Sequence, residues 1–113
     1  MESSVQDPRE PTKNTGRKNQ SIEQFSSLDP AALLELCRVA GLGAEKYGRL
    51  NYMGGYDWNL SVDAMMRHLL KFWGGQDLDD ESGCSHLAHA AWHALTLLAF
   101  TKHNIGTDTR FKP

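Results

Sequence analysis

Residues Gln76 to Leu95 read QDLDDESGCSHLAHAAWHAL, and this stretch decides the fold. It opens on a dense acidic run, Asp77, Asp79, Asp80 and Glu81, and continues into an apolar segment carrying His86, His89 and His93. The histidines recur at i, i+3 and i+7, so at about 100° per residue they share one narrow stripe of an α-helix. Carboxylates at a helix entrance and imidazoles along one face bring oxygen and nitrogen donors close together. Such donors suit a divalent metal, or a phosphate-bearing ligand held through one.

Working outward, this third helix is predicted from about Ser85 to His103, capped by Ser82 or Ser85 and ended by Asn104-Ile105-Gly106. Leu87, Ala88, Ala90, Ala91, Ala94, Leu95, Leu98 and Phe100 cover most of its circumference, which predicts a central helix touching more than one neighbour. A second helix is expected from an N-cap at Asn59 or Ser61 to Gly74-Gly75, with Val62, Met65, Met66, Leu69, Leu70 and Trp73 as its apolar seam. A first helix begins at Asp29-Pro30, because Asp suits an N-cap and Pro is preset for the first helical position. Leu33, Leu34, Leu36, Cys37 and Ala40 continue it. Gly41 and Gly43 are expected to bend or end it, leaving a short piece, Ala44 to Tyr47, stopped by Gly48. Residues 48–60 form an irregular connector in which Trp58 reads as core and Tyr52 as either core or ligand contact.

No segment alternates with period two. The fold class is therefore all-α: a small helical bundle with three main helices, completed by oligomerisation, since helix three has more apolar surface than two helices can cover. Residues 1–20 are polar and proline-bearing and predict a disordered N-terminal arm. Residues 21–103 form the folded domain, and 104–113 a polar C-terminal tail. The net charge is −2, which gives no broad basic field for a nucleic-acid polymer. No apolar run is long enough for a bilayer, and the N-terminus lacks the apolar core of a secretory signal. Cys37 and Cys84 fit no metal spacing and read as reduced thiols, Cys37 as a small buried hydrophobe. A cytoplasmic location follows.

One histidine on an apolar helix is usually a packed core residue; three on one stripe are harder to dismiss, because each needs a polar partner if buried. His68 on helix two is a fourth that could face the same cleft. A single carboxylate in the acidic run reads equally well as a cap of helix three, but at least one of Asp77, Asp79 and Glu81 is expected to do more. Zinc is a chemical alternative, although the spacing is no specific zinc signature. Mg2+ or Mn2+ suits the oxygen-rich run better, above all if phosphates complete the shell. Lys46, Arg49 and Arg67 are the cations expected to reach such phosphates. The chain carries no Gly-rich phosphate loop, no Ser-His-Asp arrangement and no cysteine nucleophile, so any chemistry is metal-assisted attack of water.

Three blocks, GAEKYGRLNY (43–52), MMRHLLKFWGGQDLDDESG (65–83) and HLAHAAWHALTLL (86–98), resemble the small phage-encoded dATP/dGTP diphosphohydrolases, which are similar to the wider MazG-like all-α nucleotide pyrophosphohydrolases. The likeness runs from about Ser27 to Phe100. It implies a helical, oligomeric enzyme (dimer or tetramer) that binds a nucleoside triphosphate through a divalent metal and releases a monophosphate and pyrophosphate. It also implies a bacteriophage or its host as the source. By the same resemblance Lys46, Tyr47 and Asn51 lie near the ligand, Arg67 and His68 serve it from helix two, Asp77, Asp79 and Glu81 form the acidic segment, and His86 and His93 are the polar positions of helix three.

The chain departs from the family at Gly75-Gln76-Asp77, where an acidic residue usually stands at the second position, and it lacks the EExxE and ExxD strings of wider MazG-like enzymes. Two functions follow. The first is metal-dependent hydrolysis of dATP or dGTP, with Asp77, Asp79 and Glu81 holding metal, Lys46, Arg49 or Arg67 neutralising phosphate, and Glu81 and His86 acting on the attacking water. The second, motivated by Gln76, is a non-catalytic phage protein that sequesters a nucleotide-derived immune signal.

Overall fold

The computed structural model describes residues 18, 19 and 21–113. Nearly all of the expected N-terminal arm lies outside these. Three helices dominate: α1 (Pro30–Tyr47), α2 (Trp58–Trp73) and α3 (His86–His103), with one-turn 3-10 segments at Phe25–Ser27 and Asn51–Gly54 and no strand among the described residues. The chain is all-α, and α3 is central, packing against both α2 and α1.

Local chemistry sets the helix ends. The Asp29 side chain accepts from the Ala32 N–H at 2.8 Å, and Pro30 follows at the first helical position. Ser85 accepts from the N–H groups of Leu87 and Ala88, satisfying two of the unpaired donors that every helix start exposes. Asn104 ends α3 in the left-handed conformation. Gly74 ends α2, its N–H donating back to the Leu70 carbonyl.

Three expectations need correcting. First, α1 runs unbroken through Gly41 and Gly43. Each glycine costs a helix about 1 kcal/mol relative to alanine, but the stripe Leu33, Leu36, Val39, Leu42 carries past Gly41 and up to Gly43, and Val39 and Leu42 pack with Cys84, Ala88 and Trp92. Second, α2 starts at Trp58 with Asp57 as N-cap. Ser61 is no cap; it is fully buried at the α2–α3 contact, and Asn59 is bonded to Thr109. Third, the apolar seam of α2 is largely exposed in the single chain: Val62, Met66, Leu69, Leu70 and Trp73 all face outward, Trp73 at 85% exposure. Cys37, expected to be buried, is exposed for a related reason, since α1 is covered on one side only; Cys84 is buried.

The C-terminal segment, polar and extended as expected, also clasps the connector. The Trp58 backbone N–H donates to the Thr107 carbonyl at 3.0 Å and the Thr107 N–H to the Tyr56 carbonyl at 3.3 Å. The Trp58 indole donates to the Ile105 carbonyl at 2.8 Å. Trp58 is buried as expected, and the Arg110 guanidinium lies 5.1 Å from the centre of its ring. Tyr56 meets the fully buried Phe100 edge to face.

Candidate functional site

The acidic run folds back on itself before α3 begins. The Asp79 N–H donates to the Cys84 carbonyl and the Gly83 N–H to the Asp79 carbonyl, both at 2.8 Å. Asp79 Oδ2 accepts from the Ser82 N–H at 2.8 Å and from the Ser82 hydroxyl at 2.9 Å, the local closure to which Asp is suited. The turn thereby aims Asp79 inward. Asp77 is exposed, and its backbone carbonyl accepts from the His86 N–H at 2.9 Å. Gln76 donates to Asp80 at 3.1 Å.

A cavity of about 870 Å³ opens between α1, the connector, α2, this turn and one face of α3. That lies within the span of small-molecule sites. Lys46, Tyr47, Asn51, Arg67, His68, Asp79, Glu81 and His93, all singled out from the sequence, line it. Arg49 and Asp77 do not. Arg49 follows the end of α1 in an exposed turn, and Asp77 is held at the entrance of α3 through its backbone. His86 does not line the cavity either; it is fully buried behind it. The acidic turn and the imidazole row thus converge on one space.

Several lining residues were given no role in the sequence reading. His89 was on the stripe. Lys71 stands one turn beyond Arg67, on the same face of α2, and that spacing was a usable signal. Ser82 read only as a possible cap of α3, Tyr56 was one of the connector's aromatic rings, and Trp92 had no such signal. Tyr52 and Trp92 meet edge to face at 5.3 Å between ring centres, which turns the open question about Tyr52 toward the cavity wall.

The electrostatics divide the cavity. Lys46, Arg67 and Lys71 bring positive charge, and Asp79 and Glu81 negative charge. The Tyr47 hydroxyl, then the Glu81 charge, hold the Lys46 ammonium above its ordinary range. Burial would raise the Asp79 carboxyl, but the two Ser82 hydrogen bonds and the nearby His89 and His68 outweigh it, so it stays below the usual carboxylate range. Burial pushes His68, His89 and His93 below the ordinary imidazole value, His93 to about 4. Neighbouring imidazoles add to this in each case, while Asp79 pulls His68 and His89 partly back. At neutral pH these three rings are uncharged.

Hydrogen bonds fix the rings. Tyr56 hydroxyl, Ser61 hydroxyl and His93 Nδ1 form a chain with steps of 2.6 and 2.9 Å. Ser82 has one hydroxyl proton, given to Asp79, so the 2.7 Å contact with His89 is donated by His89 Nε2. The His68 and His89 rings stack with centres 4.4 Å apart and planes within 5°. His68, Asp79 and His86 each offer one ligand atom, all within 4.8 Å of one another, a donor set that fits a divalent ion. The all-carboxylate set of Asp77, Asp79 and Glu81 is not gathered in this way among the described residues.

A family profile described as dATP/dGTP diphosphohydrolase, N-terminal, matches residues 12–110. The chain belongs to this family. The dATP/dGTP diphosphohydrolase of Salmonella phage PMBT28 is 42% identical over 78 residues, a match covering 68% of this chain and 27% of the phage protein. The chain therefore spans about a quarter of that relative's length. No solved structure matches the chain. No helix among the described residues is long and apolar enough to cross a membrane. In this member of the dATP/dGTP diphosphohydrolase N-terminal family, the three blocks that carried the resemblance supply most of the cavity wall.

Proposed function

We propose that this cavity binds a purine deoxynucleoside triphosphate and hydrolyses it to the monophosphate and pyrophosphate. One observation carries the reading: three cations, two carboxylates, three neutral imidazoles and four aromatic rings share a single cavity of nucleotide size. Arg67 and Lys71, with Lys46 across from them, offset phosphate charge, Arg as a fork of donors and Lys as point charges. Tyr52 and Trp92 offer flat faces and edges to a base. Water attacks the α-phosphorus, the bond to the α,β-bridging oxygen breaks, and pyrophosphate leaves with that oxygen. The water's proton passes to the His89 imidazole of the wall. A divalent ion, Mg2+ or Mn2+, when bound supplies the positive charge that makes phosphorus easier to attack. Asp79 is the carboxylate best set to hold it, with Glu81 beside it on the wall. The name of the phage relative agrees with the nucleotide reading.

His86 lies behind the cavity wall, so its expected part in positioning water gives way to supporting His68. The sequestration reading is weakened by Gln76, whose amide is engaged with Asp80 away from the cavity. We further read the open apolar seam of α2, with Leu95 and Leu98 of α3, as the face of a second copy in a dimer or tetramer.

The test incubates the protein with dATP, dGTP and other nucleotides plus Mg2+ or Mn2+, following pyrophosphate release, with calorimetry in parallel. Expected are release from dATP or dGTP and its loss in Asp79→Asn. Tight binding with quantitative recovery of intact triphosphate would favour sequestration. Absence of both binding and release would overturn both readings.

A further inference from the structure

We propose that His68, Asp79 and His86 form a binding site for a divalent transition-metal ion, one that takes Mn2+, Co2+ or Zn2+ in preference to Mg2+. Three separate elements deliver the donors: α2 gives His68, the acidic turn gives Asp79, and the first residue of α3 gives His86. One ligand atom from each lies within 4.8 Å of the other two. His68 Nδ1 and His86 Nδ1 stand 2.9 Å apart. Two donors in one coordination shell with bonds of about 2.1 Å are separated by roughly 3.0–3.4 Å, so the pair already has the spacing of a shared ion.

His86 behaves unlike a structural histidine. It is fully buried, Nε2 has no hydrogen-bond partner, and the one polar neighbour of Nδ1 is another imidazole. A buried histidine serving only the fold would be held by a carbonyl or carboxylate, because an unmet polar atom costs on the order of 1–3 kcal/mol. The third donor is oriented as ligating carboxylates are. Both Ser82 hydrogen bonds fall on Asp79 Oδ2, leaving Oδ1 without a hydrogen bond among the described residues. Ser82 is itself held by His89, and the His89 ring stacks on His68, so Asp79 and His68 each have an outer support.

The two imidazole nitrogens are borderline donors, which favour transition ions over the hard, oxygen-seeking Mg2+, and the carboxylate serves either. Three protein ligands leave positions open, and His68 and Asp79 stand on the cavity wall, so the open side faces the nucleotide space. The use of the ion in hydrolysis rests on the proposed function; its binding does not.

The experiment therefore omits nucleotide. The chelator-treated 113-residue chain is titrated with Co2+, Zn2+, Mn2+ and Mg2+ by calorimetry, with Co2+ absorption bands and histidine side-chain NMR recorded alongside. One transition ion per chain is expected, with Mg2+ at least about tenfold weaker and the His68 and His86 ring signals shifted. His68→Gln and Asp79→Asn should each weaken binding more than about tenfold, and Asp77→Asn should leave it unchanged. Absence of binding by the wild-type chain, or binding that shifts other histidines while sparing His68 and His86, overturns the site. Loss in Asp77→Asn with retention in Asp79→Asn does the same. A failed hydrolysis assay beside successful Co2+ binding rejects the proposed function and leaves the site standing.

Discussion

Gly106→Ala puts the link between the C-terminal clasp and the cavity to a quantitative test. Gly106 has φ +76, where an L-residue costs about 1–2 kcal/mol. A Cβ there would drive into the Tyr56 carbonyl oxygen and come within 3.2 Å of both the Tyr56 nitrogen and the Trp58 indole nitrogen. The backbone oxygen cannot step aside as a side chain would, so the tail must lift. Lifting it gives up the Trp58 N–H bond to Thr107 and the indole bond to Ile105, at about 1 kcal/mol each. The sum is about 3–4 kcal/mol, which for a domain of this size lowers the melting temperature by roughly 15–25 °C. Gly83→Ala is the control, because its φ of +72 carries the same backbone cost while nothing lies within 4 Å of the added carbon. It should lose only about 5–10 °C. Calorimetric melts of the three proteins decide the matter, and equal midpoints for Gly106→Ala and Gly83→Ala would refute the clasp. A second consequence follows from the Tyr56–Ser61–His93 chain: Gly106→Ala should weaken dATP binding at temperatures below the melt, and unchanged binding would break this link.

Acid should destabilise the fold in a defined window. His93 titrates at about 4 in the folded chain against an ordinary 6.5, so as pH falls from 6.5 to 4 the unfolded chain binds the proton first and stability is lost, while above about pH 7 this effect is flat. The full shift corresponds to about 3.4 kcal/mol; the ring is partly open to solvent, so about 1–2 kcal/mol is expected after screening. Urea midpoints at pH 7.5, 5.5 and 4.5 test this, and a midpoint constant or rising on acidification would contradict it. Ser85→Ala removes the acceptor for two N–H groups at the start of α3 and should cost about 1 kcal/mol, read from the urea midpoint; an unchanged midpoint would mean that water caps the helix equally well. Arg67→Ala combined with Lys71→Ala should weaken dATP far more than dAMP in calorimetry, and equal losses for the two ligands would place the phosphates elsewhere.

Features written in neighbouring residues were legible without coordinates. Asp29 before Pro30, Ser85 before the apolar run and the Gly74-Gly75 stop each act within one helical turn, and the structure has all three where the sequence suggested. The all-α class followed from the same local periodicity. The clasp of the tail on the connector was not legible, since Trp58 and Ile105 are 47 residues apart and nothing in either marks the other. Within the acidic run, the choice among Asp77, Asp79 and Glu81 depends on how the turn closes. Ser82 selects Asp79 through two hydrogen bonds, while Asp77 is engaged through its carbonyl.

Helix α2 is where pattern and structure part, and the reason is physical. It has two faces that could meet α3. One is the seam from Val62 to Trp73, which hydrophobic periodicity selects. The other carries Ser61 and His68. A seam of leucines gains from any apolar cover, and a single chain can leave it exposed at a cost spread over many atoms. His68 and Ser61 gain only from particular partners, because a buried imidazole or hydroxyl without one is penalised. Those partners, His86, His89 and His93, all stand on α3. Turning α2 to bury its seam on α3 would part His68 from His86 and Ser61 from His93 at once. The polar face therefore fixes the rotation of the helix, and the same rotation brings Arg67 and Lys71 to the cavity.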